Sequence, residues 1–137
     1  MRAFVDTSAL LALAARQDAH HQAAVAFRAG LPRAARLLTS DYVFDETMTR
    51  LRRIDGHAAA VRVGEALRAS KMATIERISE AELEAAWKLF VKYRDQPLSF
   101  TDCTVAAMAQ ARRLPVFAFD DDFRRIGLQV LPQVPNP

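Results

Sequence analysis

Short apolar runs alternate along this chain with longer stretches in which apolar positions recur at helical spacing. The run "AFV" predicts a buried strand that ends at Asp6, and "SALLALAA" after it predicts a helix. "DAHHQAAVAFRAG" reads as a second helix, with Asp18 as its N-cap, Gly30 just past its end and Pro32 preventing continuation. "RLLTS" is a second strand. "SDYVFDETMTRLRRIDG" returns to helical spacing, with Val43, Met48 and Leu51 on a shared face and Gly56 as the stop. "HAAAVRVGEALRAS" is a further helix despite its internal Gly64.

"MATIERI" then alternates as a strand, and "SEAELEAAWKLFVKY" opens with Ser79 and Glu82 at the spacing of a capping box. After Pro97, Ser99 caps the helix "FTDCTVAAMAQARR". Pro115 leads into "VFAF", a buried strand ending at Asp120. "DDDFRRIG" predicts a turn with a short helix, and "LQVLPQV" a last strand before a proline-rich end. Strands alternating with helices, without a hairpin turn between them, predict an α/β fold: a central parallel sheet with helices on both faces.

Composition narrows the picture. The 137 residues suit one domain over 1–137, long enough to bury a core of its own. Cys103 is the lone cysteine, which excludes an intramolecular disulfide and a Cys-based zinc site. The first residues do not resemble a secretory signal, and no apolar run has the length of a membrane span, so a cytoplasmic protein is expected. A net charge of +3 permits nucleic-acid binding without demanding it, because the arginines are dispersed as pairs such as Arg52 and Arg53.

Four acids then acquire positions. Asp6 and Asp120 end predicted strands, Glu46 lies in the helix after the second strand, and Asp102 lies in the first turn after Ser99. Each has a local explanation: Asp6 as a helix cap, Asp102 as the reciprocal partner of Ser99, Asp120 beside a helix start, Glu46 paired with Arg50. Open α/β sheets, however, bind ligands at the carboxyl edge of their strands, where all four can converge. Carboxylates gathered there repel one another and raise their own pKa values unless a cation is present. With no His in these motifs and a single Cys in the chain, the donor set suits a hard ion, Mg²⁺ or Mn²⁺, able to activate water and shield a phosphodiester. Thr7 and Ser99 place hydroxyls where they can support such a site from behind.

The segments "FVDTSALLALAA", "LTSDYVFDETMTRL" and "SFTDCTVAAMAQARRLPVFAFDDDF" resemble, in order and spacing, the PIN domain of bacterial VapC-type toxins across essentially the whole chain. The resemblance implies a PIN-like fold and a Mg²⁺- or Mn²⁺-dependent ribonuclease, held in check by a cognate antitoxin protein and commonly a homodimer. The family's acidic residues carry over to Asp6, Glu46, Asp102 and Asp120. Asp122 falls where relatives variably offer another acid, as an auxiliary metal ligand, while Asp45 and Asp121 are expected at the surface. Where the family has a Thr before its last acids this chain has Ala118, which removes one hydroxyl and leaves the carboxylates.

Other features have plainer readings. His20 and His21 are adjacent on a helix and cannot both face one metal easily, so surface positions are expected. Cys103 reads as a small buried side chain. Trp87, Phe90 and Tyr93, spaced by three, read as core packing rather than as a base-stacking platform. Leu10, Leu11 and Leu13 are candidates for core first, then for dimer or antitoxin contact. A haloacid-dehalogenase-like phosphatase wants a second Asp at position 8, which is Ser8, and a receiver-like module wants paired acids after its first strand and a Lys after its last. The remaining rival is a PIN-fold protein that binds RNA or its antitoxin with little or no turnover.

Overall fold

In β1 (Arg2–Val5), Ala3, Phe4 and Val5 are consecutive and all buried. Neighbouring strand residues point to opposite faces, so such a run requires that both faces be covered. The structure, a computed structural model, describes residues 1–133 and meets that requirement. β1 is followed by α1 (Thr7–Ala14), α2 (His21–Ala29), β2 (Arg36–Ser40), α3 (Asp41–Asp55), α4 (His57–Ala69) and β3 (Ala73–Glu76). Then come α5 (Glu80–Lys92), α6 (Phe100–Arg112), β4 (Val116–Phe117), α7 (Asp122–Arg125) and β5 (Val130–Leu131). The strands form one parallel sheet in the order β3-β2-β1-β4-β5, with Phe4 opposite Leu38 on one side and Val116 on the other.

That order gives the sheet a direction change. The chain moves outward from β1 to β2 and β3, then crosses back to lay β4 on the other side of β1. The crevice between the carboxyl ends of β1 and β4 is therefore the topological switch point. The main core lies under it, with Phe4, Phe117 and Phe123 fully buried. A second cluster joins α5 and α6 through Ala86, Leu98, Cys103 and Ala107, and a third joins α1, α3 and α4 through Leu11, Leu51 and Ala60.

Several boundaries differ from the sequence expectation, each for a local reason. The second helix starts at His21 with His20 at its cap position, because Asp18 spends its carboxylate on the His20 N–H in a turn before the helix. β4 stops at Phe117, since the Phe119 N–H turns away to the Ser8 hydroxyl, and Asp120 stands in the loop beyond the strand rather than at its end. β5 ends at Leu131, because Pro132 has no N–H to continue a ladder; Val134 of the expected last strand and the terminal prolines lie outside the described residues.

The buried stripe of α3 is Val43, Thr47 and Leu51, at spacings of four. Met48 faces α4 instead, where a β-carbon on Gly64 would meet its sulfur at 2.8 Å, so the internal glycine lets two helices approach. Gly56 joins α3 to α4 at φ +91°, a conformation open to glycine and strained for other residues. Leu10 and Leu11 are core residues, as is Cys103. Trp87 and Phe90, expected in the core, are 53% and 41% exposed, while Tyr93 packs against the α5–α6 cluster. Three residues is not a full helical turn, so a spacing of three walks round the helix and carries only the last ring inward.

Candidate active site at the switch point

Three helix starts converge on the carboxyl edge of the sheet. α1 and α3 follow directly from β1 and β2, and α6 runs back towards the start of β4. Each is capped by a side chain from the motifs: Asp6 for α1, Ser40 for α3, Ser99 for α6. The Thr39 hydroxyl donates to the Val5 carbonyl at 2.9 Å, holding the ends of β2 and β1 together. Helix N-termini carry partial positive charge, so the edge that gathers the acids also tempers their repulsion.

Asp6 is 2% exposed. Its Oδ2 accepts from the Ser8 N–H at 3.1 Å and from the Ser8 hydroxyl at 2.7 Å. The Ser8 oxygen in turn accepts from the Phe119 N–H at 3.0 Å, so one hydroxyl clasps the β1 acid to the loop after β4. Ser8 is the functional-looking residue the sequence analysis missed. The available signal was a Ser two places after an Asp at a helix start, a pattern that hydrogen-bonds locally. The other oxygen, Oδ1, is buried with no hydrogen-bond partner.

Asp102 fulfils its local explanation and also reaches the cleft. Its Oδ2 accepts from the Ser99 N–H at 2.9 Å while the Ser99 hydroxyl accepts from the Asp102 N–H at 3.0 Å. Asp120 accepts from the Asp122 N–H at 3.0 Å, and Asp122 is bound at 2.9 Å by Arg125. Oxygens of Asp102, Asp120 and Asp122 lie within 4.8 Å of one another. Asp6 and Glu46 are outside that tight triad but belong to the same field, since Asp6 is repelled by Glu46 and Asp102 by Asp6 and Asp120. Glu46 also lies 3.7 Å from Arg50, the helical pairing expected of it.

The consequence is a set of carboxyls reluctant to ionise. Burial above all, with the Glu46 charge adding to it, pushes Asp6 up to about 6 against the N–H and hydroxyl donors of Ser8. Burial and the charges of Asp6 and Asp120 push Asp102 up to about 7. Asp122 is raised too, by desolvation and then by Asp120, with Arg125 opposing.

Thr7 is buried with its hydroxyl unpartnered, and no hydrogen bond joins it to the acids among the described residues. Ala118 packs into the main core. Asp45 and Asp121 are exposed, the latter paired with Arg124. The histidines are less free than expected: His20 stacks on Phe119 at 4.8 Å, and a ring nitrogen of His21 lies 2.7 Å from the Ala12 carbonyl, because α2 folds back over α1. Cys103 has its thiol pushed up to about 11 by burial and by its neighbour Asp102, so it is not a nucleophile at neutral pH.

A dense all-oxygen donor set, raised carboxyl pKa values and an orphaned buried carboxylate oxygen fit a hard divalent cation such as Mg²⁺ or Mn²⁺. The site is an open cluster at the sheet edge. An apolar groove of about 310 Å³ between α1, α4 and the sheet, lined by Leu10, Leu13, Val63, Leu67 and Met72, contains none of these acids.

The PIN domain pattern matches residues 3–128. The chain belongs to the PIN domain family. This PIN domain is 36% identical over 132 residues to the 23S rRNA-specific endonuclease VapC20 of Mycobacterium tuberculosis, covering 95% of this chain and 98% of the relative. The crystal structure of M. tuberculosis VapC20, described as a sarcin-ricin loop cleaving toxin, superposes with a TM-score of 0.85 at 34% identity, over 93% of this chain and 96% of that one. The fold alone is shared with VapBC2 from Rickettsia felis bound to a promoter DNA fragment, at 13% identity and a TM-score of 0.71 over 95% and 97% of the two chains. The expected PIN-like parallel sheet is thereby established. No helix among the described residues is long and apolar enough to cross a membrane.

Proposed function

We infer that the protein is a divalent-metal-dependent endoribonuclease, the toxin of a toxin–antitoxin pair, and that its substrate is 23S ribosomal RNA in the cytoplasm. The observation that carries the catalytic reading is the convergence of Asp102, Asp120 and Asp122 within 4.8 Å beside the unpartnered Oδ1 of Asp6. Such a cluster costs stability in the metal-free protein and is explained by the cation it binds. The relative that supports the substrate is full-length VapC20, named for 23S rRNA, and its description as a toxin supports a cognate antitoxin as partner.

In this reading Asp102, Asp120 and Asp122 hold Mg²⁺ or Mn²⁺, with Asp6 and Glu46 completing the acidic wall on the β1 and α3 side. The ion, when bound, supplies an activated water and offsets the negative charge of the phosphodiester. The chain's own groups fix the geometry: Ser8 orients Asp6, the Ser99 N–H and hydroxyl hold Asp102, and Arg125 holds Asp122. The RNA backbone approaches an open edge, so a structured loop can reach the acids without entering a deep pocket.

The test is incubation of purified ribosomes and of extracted total RNA with the protein in Mg²⁺ or Mn²⁺, beside reactions containing EDTA or the Asp102→Asn variant. Discrete 23S fragments absent from both controls are expected, with activity of the variant reduced by a factor of about 100 or more. RNA retained with metal but uncut in every lane would establish the binding reading in place of the enzymatic one.

A further inference from the structure

Aromatic side chains form a chain of contacts from the main core to the surface beside the acids. Phe27 on α2 meets Phe117, the last residue of β4, at 4.6 Å, and Phe117 meets Phe119 edge-on at 5.8 Å. His20 then stacks on Phe119 at 4.8 Å, with the two rings 10° from parallel. Phe117 is fully buried, Phe119 is half-buried and His20 is exposed.

The outer end of this chain is held in place from both sides. Asp18 accepts from the His20 N–H at 2.8 Å, and the His20 carbonyl accepts from the Ala24 N–H at 2.9 Å, which fixes the backbone at the start of α2. The Phe119 N–H donates at 3.0 Å to the Ser8 hydroxyl, the same hydroxyl that donates to Asp6, and Asp120 is the next residue. The His20–Phe119 pair therefore borders the acid cluster, tied to it through Ser8 and through the chain itself.

The two adjacent histidines are used differently. A ring nitrogen of His21 lies 2.7 Å from the Ala12 carbonyl and secures α2 to α1. The His20 ring makes no hydrogen bond among the described residues and, although at the cap position of α2, supplies no side-chain cap. It lies flat, with one face on Phe119 and the side chain open to solvent. A ring backed by protein on one face and open on the other is the form in which proteins stack unpaired RNA bases, and because every base has a π-face the contact tolerates any sequence.

We propose that His20, backed by Phe119, is the platform on which an unpaired base of the RNA stacks beside the acid cluster. The proposal rests on the ribonuclease reading for its ligand and deepens it. The substrate must offer an unpaired base near the phosphate held at the acids, as a loop or a single strand does and a continuous duplex does not.

The experiment is fluorescence anisotropy with the full chain carrying Asp102→Asn, in Mn²⁺, so that RNA is bound without being cut. The probes are a labelled oligouridylate and a ribose-phosphate strand of the same length without bases. The His20 chain is expected to bind the strand with bases about tenfold more tightly than the strand without them. His20→Leu, which keeps an apolar cover over Phe119, should abolish that difference, and His20→Tyr should restore it. Circular dichroism melts of both variants should match the parent, since His20 is exposed. Equal binding of the two strands by the His20 chain overturns the proposal, as does a His20→Leu chain that keeps the preference. Loss of the preference in His20→Tyr as well as in His20→Leu overturns it too, and reduces His20 to a cover for Phe119. A base preference that depends on His20, in a protein that cuts no RNA with Asp102 intact, would uphold the platform and overturn the ribonuclease reading instead.

Discussion

Two residues two positions apart, Asp6 and Ser8, show how much of the site depends on single hydrogen bonds. Ser8 is at once the donor that partly offsets the desolvation of Asp6 and the acceptor that fixes the loop carrying Asp120. Ser8→Ala removes both functions without changing the charge of the cluster. Metal-dependent cleavage is expected to fall about 10–100-fold, the range for partners that orient metal ligands. Titration of activity against Mn²⁺ checks this, since part of the loss should be recovered at high metal. Undiminished activity at limiting Mn²⁺ would mean that Ser8 is not an orienting group. The residue was visible in the sequence only as the third letter of "DTS"; nothing local indicated that its oxygen would meet a backbone N–H from Phe119, more than a hundred residues away.

At the scale of elements, the capped helices were legible because their signals are local. Ser79 with Glu82 and Ser99 with Asp102 each form the full reciprocal box that their spacing implied. The α3–α4 pair was legible as two helices but not as a packed unit. Its close approach depends on Gly64 facing Met48. Gly64→Ala raises helix propensity by about 1 kcal/mol yet drives a methyl group onto the Met48 sulfur, and overpacking costs about 1–3 kcal/mol. The net change is expected to be destabilising by about 1 kcal/mol, and urea unfolding with an unchanged m-value is the check. Relief in the double variant Gly64→Ala with Met48→Ala relative to Met48→Ala alone would locate the strain in that contact. The end of α6 is held differently: Arg112 reaches Glu76 on β3 at 2.6 Å and also Glu82 on α5, and the pairing holds Glu82 below its ordinary range.

For the whole molecule, the acid cluster links stability to pH and to metal. Asp6 and Asp102 ordinarily titrate near 3.8 but are pushed up to about 6 and about 7 in the folded chain. The folded state therefore binds more protons than the unfolded state between roughly pH 4 and pH 7, and stability falls as pH rises through that window. For the fully buried Asp6 the loss at neutral pH is on the order of 3 kcal/mol. The metal-free protein is expected to melt at a lower temperature at pH 8 than at pH 5. Millimolar Mn²⁺ should raise the melting temperature more at pH 8, because the ion binds ionised carboxylates of the native state. Differential scanning calorimetry at both pH values, with and without Mn²⁺, measures this directly. An equal shift at the two pH values would separate metal binding from these carboxyls.

The sequence by itself determined the elements and their order, because caps, glycine stops, proline breaks and apolar periodicity act within a few residues. It also determined which acids could matter, since a carboxylate at the end of an apolar run is conspicuous wherever the chain later goes. Only the tertiary structure decided which carboxylates meet. The return of β4 to the side of β1 brings Asp120 and Asp122 to Asp102, leaves Asp6 with one oxygen unsatisfied, and turns Ser8 into a bridge. Tertiary structure likewise exposed Trp87 and Phe90, whose spacing had suggested burial. The physical reason is common to all of these: periodicity assigns a side chain to a face of its helix or strand, whereas the packing of distant elements decides whether that face meets the core, the solvent or another charge.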